Sequence, residues 1–313
     1  MDEHYLKNTY DSFLLKGMKN ALKRIIKAIN EREKIVIYGY YDFDSITAIS
    51  LLILVFRYLN GDVEYFQPNE ARVNRNLTEK DIKNHIQCLG ANLIITVGCT
   101  LNSDKEIQLC KEHNIDIIVT DYHKNTKEFN DLTIINPNQK GCEYPFKNLT
   151  AVGVAYKLAQ TISSYYKMSC INKYIDLVML GTISKKVPLI GENGYIVKEG
   201  TRQLANSNNY GIKALFYNEN VKDMEEFIKN NLTFDIFSRS NSMGRIDNAK
   251  IAIELFTTDD SYRAKQISKY LYNEIKRNND IYNRKNLSIN FQIVWYFNKL
   301  YCINCKNWYI IKV

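Results

Sequence analysis

The chain has 313 residues, 45% of them hydrophobic, a formal charge of +8 and a pI near 8.9. That length and apolar content exclude a disordered or fibrous chain and suffice for one large domain or two modest ones. The N-terminal stretch MDEHYLKNTYDSF lacks the apolar core of a signal peptide, and no run reaches the ~18 apolar residues of a membrane span, so no membrane partner and a cytoplasmic location are expected.

The positive balance favours a polyanionic partner such as nucleic acid. Heavy use of Lys, Asn, Ile and Tyr is also what an A/T-rich coding sequence produces, so the charge has a compositional explanation of equal weight. The 7 cysteines are scattered and odd in number, which suits reduced thiols. Cys302 and Cys305 form a lone C-x-x-C without a second pair at zinc spacing.

In chain order, SFLLKGMKNALKRIIKAINE (Ser12 to Glu31) has helical spacing of its apolar residues. KIVIYGY reads as a buried strand, ITAISLLILVFRYLN as a buried helix and DVEYFQP as a second strand. TEKDIKNHIQCLG reads as a helix capped through Thr78 and Asp81. ANLIITVG, DKEIQLCKEHN and IDIIVTDYH continue as strand, helix and strand. The alternation predicts an α/β fold with a mostly parallel sheet flanked by helices. Beyond about residue 149 the chain turns helical, with AVGVAYKLAQTISSYY, NKYIDLVMLGTIS and a long polar helix in DSYRAKQISKYLYNEIKRNNDIYNRKN.

Functional groups of a parallel sheet gather beyond the carboxyl ends of its strands. Three such ends stand out: Tyr40 to Ser45, Gly98 to Thr100, and Asp121 to His123. Asp42 and Asp44 are close enough to serve a hard cation, and each also suits the cap of the following helix.

Several segments in this order resemble the motifs of the DHH phosphoesterase family, in particular its RecJ-type single-strand-specific 5′-to-3′ exonucleases. IVIYGYYDFDSITA resembles a first motif, GDYDxDGxT, and ANLIITVGCTLNSDKEI resembles a strand ending VDCG. IDIIVTDYHK resembles the Asp-His-His motif, and DLVMLGTISKKVPLIGENG resembles GTxADVVPL. NPNQKGCEYPFKNLTAVGVAYKLAQ and SRSNSMGRI resemble the family's Cys-x-Tyr-Pro-x-Lys segment and its R-x-N-x-x-G-R motif. The resemblance runs from about residue 12 to 277 and implies a DHH-type sheet over residues 1–238. The R-x-N-x-x-G-R motif and a long connecting helix would then occupy 239–285, with an aromatic tail over 286–313.

The resemblance also implies a reaction. Two manganese or magnesium ions, held by carboxylates and imidazole, would clamp a phosphodiester of single-stranded DNA and activate water. Asp42 and Asp44 match two liganding aspartates, and Asp121 and His123 are kept. Tyr40 and Ser45 replace an acidic residue and a turn glycine, Gly98 replaces the bridging aspartate, and Tyr122 replaces the first histidine. Lys185, followed by Lys186, stands where the fourth motif has a liganding aspartate. Asp42, Asp44, Gly98, Asp121, Tyr122, His123 and Lys185 therefore read as the remnant of a metal cleft that binds metal weakly or not at all.

Arg239, Asn241, Gly244 and Arg245 keep the R-x-N-x-x-G-R motif, whose arginines would hold phosphate or clasp the long helix. Glu70 replaces the arginine of a Pro-Asn-Arg string begun by Pro68 and Asn69, and Asn74, Arg75 and Asn76 replace a Gly-Tyr-Gly. Ala151 replaces the first glycine of a Gly-Val-Gly-Val turn. The chain ends at Val313, before the further domains of the RecJ type, in a tail whose Trp295, Tyr296 and Phe297 would be an adhesive patch if not buried. Three readings follow: a non-cutting relative that binds single-stranded DNA weakly or serves a protein partner in DNA repair, recombination or replication; an active exonuclease with a new carboxylate, Asp104 or Glu106 being nearest; or a gene remnant.

Overall fold

Near-continuous runs of Ile, Val and Leu leave a strand no polar face, so each must be covered on both sides. The computed structural model describes residues 9–68, 76–101, 103–124, 129, 132–169, 171–185, 187–204, 206–218 and 246–282. Strands β1 and β3 are buried throughout and β4 at all but its first residue, in a sheet of five parallel strands: β1 (Ile35–Gly39), β2 (Val63–Phe66), β3 (Leu93–Val97), β4 (Asp116–Thr120) and β5 (Thr133–Ile135), in the order β2-β1-β3-β4-β5. The last of these is only three residues long and has no periodic signature in the sequence.

Strand alternation divides the core into two layers. Ile35, Ile37, Leu93, Ile95, Val97 and Ile118 face the larger layer. It contains α1 (Met18–Asn30) and α2 (Phe43–Tyr58). Val36, Tyr38, Ile94, Ile117 and Val119 face the smaller one. That face is covered by a helical segment (Glu79–Asp81, a π turn Ile82–Ile86 and a 3-10 turn Gln87–Leu89) and by α3 (Asp104–Glu112). The Thr78 capping box with Asp81 starts that segment as the sequence predicts.

The first helix departs from the expected Ser12–Glu31. Ser12–Leu14 is a 3-10 turn and α1 begins at Met18. Gly17 lies between them at φ +88°, where any Cβ would sit 2.2 Å from the Ile134 carbonyl oxygen. Only glycine combines that left-handed backbone with so close an approach to β5.

After β5 come α4 (Ala151–Tyr165), α5 (Ile175–Ser184), α6 (Gly191–Leu204), α7 (Tyr210–Asn218), α8 (Ile246–Thr257) and α9 (Ser261–Tyr282). Helices α6 and α7 are not evident in the sequence, because glycines at 191, 194 and 200 dilute the α6 pattern. A buried ion pair ties α4 to α6: Lys157 Nζ lies 2.6 Å from Glu192 Oε1. The same carboxylate accepts from the Tyr144 hydroxyl and from the Tyr10 backbone N–H, so no charge there is left unsatisfied.

Helix α2 is buried along almost its whole length between the sheet and α4, α5 and α8. Gly181 lets α5 lie directly on it; a Cβ there would sit 2.0 Å from Thr47 Oγ1. That close contact fixes where the carboxyl end of α5 emerges. Helix α8 closes the far side, with Phe256 against Phe43 and the Arg57 guanidinium donating to the Thr257 carbonyl. Of the sequence readings, the boundary at 238/239, Asn69, Glu70, Asn74, Arg75, Lys186, Arg239, Asn241, Gly244, Arg245 and the tail from Ser288 lie outside the described residues.

Candidate functional site: the cleft at the switch point of the sheet

The chain leaves β1 for β2 on one side and returns to β3 on the other. The connections therefore diverge at the carboxyl ends of β1 and β3 and leave a crevice between them, the usual position of a ligand site in an open parallel sheet. The residue after β3 is Gly98, and the loop after β1 carries Asp42 and Asp44.

Asp42 caps α2, accepting the Ser45 N–H at 2.9 Å. Asp44, in the first turn of the same helix, does not cap its own helix. Its two oxygens accept the Ala151 and Val152 N–H groups at 2.9 and 2.8 Å, so it closes the amino end of α4 more than a hundred residues away. The free N–H groups and dipole of α4 are thereby committed to a carboxylate of the chain itself.

Lys185 forms the carboxyl cap of α5. Its Nζ lies 3.4 Å from Asp42 Oδ2 and 4.0 Å from Asp44 Oδ2. It also lies over the Tyr122 ring, 5.6 Å from its centroid. Burial pulls the ammonium toward neutrality, but Asp42, Asp44 and Tyr122 together outweigh it and hold the pKa above the ordinary lysine value. Burial raises Tyr122, against the pull of Lys185, so the phenol stays neutral. Burial likewise pushes Asp44 up to about 6, opposed by Lys185 and the two backbone donors.

The third strand end completes the cleft. His123 Nδ1 lies 2.7 Å from Asp121 Oδ1, and the imidazole stacks on Tyr122 at 4.2 Å between ring centroids. The Asn136 amide donates to the His123 carbonyl and the Asn138 amide to the Tyr122 carbonyl, holding this loop in place. Those two asparagines belong to the INPNQK stretch, and nothing in the sequence singles out either as a positioning group.

Gly98 has φ +64°, and a Cβ built on it would meet Ala151 Cβ at 2.8 Å, Ser45 Oγ at 3.5 Å and Tyr122 Cε1 at 3.6 Å. The space of a side chain at 98 is thus filled by Ala151 and the edge of Tyr122. The cleft brings together Asp42, Asp44, Gly98, Asp121, Tyr122, His123 and Lys185, all singled out in the sequence. Glu106, a candidate replacement carboxylate, is engaged instead in the Ser103 capping box at the start of α3.

The DHH family model, N-terminal domain, matches residues 34–182, an interval that begins just before β1 and ends inside α5. The chain belongs to the DHH family. This DHH chain is 35% identical over 260 residues to the single-stranded-DNA-specific exonuclease RecJ of Bacillus subtilis, covering 83% of this chain and 32% of that protein. It is 30% identical over 275 residues to RecJ of Haemophilus influenzae, covering 84% of this chain and 48% of that one. The chain therefore spans a third to a half of the length of these relatives. Manganese-bound RecJ of Thermus thermophilus superposes with a TM-score of 0.72 at 26% identity, over 85% of this chain and 38% of that one.

The donor set of this DHH cleft does not fit a pair of divalent cations. Gly98 has no donor, Tyr122 is a neutral phenol and Lys185 brings a cation. Among the described residues no three His, Cys, Asp or Glu side chains come together to hold a metal.

The packing at position 98 can be tested directly. Gly98→Ala should destabilise the fold by roughly 1–3 kcal/mol through the contact with Ala151. Ala151→Gly in the same chain should recover part of that loss, with a coupling near ~1 kcal/mol in a denaturation double-mutant cycle.

A second prediction concerns pH. Asp176, at the start of α5, is also pushed up to about 6 by burial, against the Ser207 hydroxyl and the Leu177 N–H; its Oδ2 has no partner among the described residues. A carboxyl whose pKa is higher in the fold than the ordinary 3.8 contributes most below that value, and its contribution is lost as pH rises through about 6. Unfolding free energies of wild type and Asp176→Asn should therefore diverge between pH 4 and 6, wild type losing on the order of 3 kcal/mol more as pH rises.

Proposed function

We propose that this DHH chain is a RecJ-related protein that does not hydrolyse phosphodiesters. It would act by weak binding of single-stranded DNA, or by serving a protein partner, in DNA repair, recombination or replication. The observation that carries the reading is the Lys185 ammonium 3.4 Å from Asp42 and 4.0 Å from Asp44. RecJ-type chemistry gathers negative charge at that point to hold metal. Here the two carboxylates face a cation of the chain itself, and the neighbouring positions 98 and 122 supply no anionic donor.

The RecJ relatives are single-stranded-DNA-specific exonucleases, which makes single-stranded DNA the ligand to test. Lys185 is not the group expected to hold its phosphates, because two carboxylates already engage it. Arg239 and Arg245 are better suited, their planar forks donating to phosphate in pairs. The net charge of +8 adds a diffuse attraction.

The deciding experiment incubates the purified chain with 5′-phosphorylated single-stranded DNA and manganese or magnesium. No nucleotide release is expected. Metal-dependent release that disappears in Asp42→Ala would establish an active exonuclease instead.

Binding is tested separately by fluorescence anisotropy across a salt series. If Arg239 and Arg245 each meet one phosphate, log affinity should fall with log salt with a slope of about −1.4. Arg245→Ala should flatten that slope by about 0.7, whereas Lys185→Met should leave it unchanged. No binding at low salt would favour the protein-partner role or a gene remnant.

A further inference from the structure

The carboxylates of the cleft pose an electrostatic problem. Asp44 is fully buried and Asp42 mostly so. Two such groups 4 Å or less from a common point repel one another and are destabilising unless a positive charge lies between them. In the manganese-bound RecJ structures a divalent ion is present in the protein. In this chain one ammonium lies within 4.0 Å of both carboxylates, and it is delivered there by the backbone rather than by diffusion: Lys185 ends α5, and the Gly181–Thr47 contact presses that helix onto α2, whose first turn carries Asp44.

The remaining volume is closed in a complementary way. Where a side chain at 98 would project, the Ala151 methyl and the Tyr122 ring are already in place. The Tyr122 ring also lies under the ammonium, its centroid 5.6 Å from Lys185 Nζ. The N–H groups at the start of α4 satisfy Asp44 from the other side.

We propose that Lys185 is the resident cation of this cleft, a covalently attached replacement for the divalent metal, and that Gly98, Ala151 and Tyr122 form a repacked shell around it. The site is then a metal-independent structural centre joining the β1 loop, the β4 loop, α4 and α5. It rests on the non-hydrolytic reading of the cleft, but it is decided by metal binding and stability, not by nuclease assay. An exonuclease with its cage elsewhere would leave it intact.

The test uses the full chain in three forms: wild type, Lys185→Met and Lys185→Arg. Wild type should melt within about 1 °C of the same temperature in EDTA and in millimolar manganese chloride, because nothing binds to the folded state that could shift it. Lys185→Met should melt roughly 5–15 °C lower, since it leaves buried carboxylates without a counter-charge. Lys185→Arg, which keeps the charge, should recover most of the loss.

The readout that a merely structural lysine would not move is manganese affinity by isothermal titration. Lys185→Met should bind manganese at least ten-fold more tightly than wild type. Equal manganese binding by both proteins, or by neither, overturns the proposal, as does wild-type stability in Lys185→Met. If that variant is too unstable to titrate, wild type decides alone: a saturable rise of its melting temperature with manganese overturns the proposal, and indifference to manganese upholds it.

Discussion

Two carboxylates at the carboxyl end of one parallel strand must meet positive charge, and the architecture around the cleft is organised by that requirement. Asp44 is satisfied by the amino end of α4 and by Lys185, Asp42 by the amino end of α2 and by the same lysine. Three helices and the end of β1 thus converge on one small, highly charged volume. A helix dipole or a backbone N–H can satisfy a carboxylate, but neither supplies a full unit of positive charge. The ammonium therefore carries the larger share of the compensation.

The topology explains why this happens at one place. The strand order β2-β1-β3-β4-β5 reverses direction next to β1, so the loops after β1 and β3 separate and leave room above the sheet. The loop after β4 reaches the same space because β4 lies beside β3 in parallel register. Helices α4 and α5 then pack on the face of α2 and bring their ends to the opening. A cleft of this kind is a property of the fold and carries no reaction by itself. What it does is set by the side chains at its rim, and here these are two aspartates, a lysine, a neutral phenol and a histidine paired with Asp121.

Much of this was legible in the sequence. Strands β1, β3 and β4 are short runs dominated by apolar β-branched residues and bounded by turns, and such runs announce themselves locally. The strand-end residues were equally legible, because a parallel sheet places them on one edge whatever the loops do. Other features were not. Strand β5 is too short to show a period, and the break before α1 depends on Gly17 meeting Ile134, a contact between residues far apart in the chain. A cap on the following helix is one of the two sequence readings of Asp42 and Asp44, beside metal ligation. It describes Asp42, whose partner is three residues away, and fails for Asp44, whose partners are at 151 and 152. Local rules see local partners only.

The same limit governs how Gly98 and Ala151 are understood. Set against the DHH motifs that the sequence resembles, Gly98 stands in place of a carboxylate and Ala151 in place of a flexible glycine. Taken together they are one change, because a Cβ at 98 and the Cβ at 151 would stand 2.8 Å apart and cannot both be present without a shift. Lys185 and the aspartates form a second matched set, since a lysine there without acceptors would be an unpaired buried charge, and the aspartates without the lysine would be two. Volume and charge in the cleft are thus each balanced by groups of the chain itself, Ala151 and Tyr122 at position 98 and Lys185 against the aspartates, so that a change at one of them carries a cost at its neighbours.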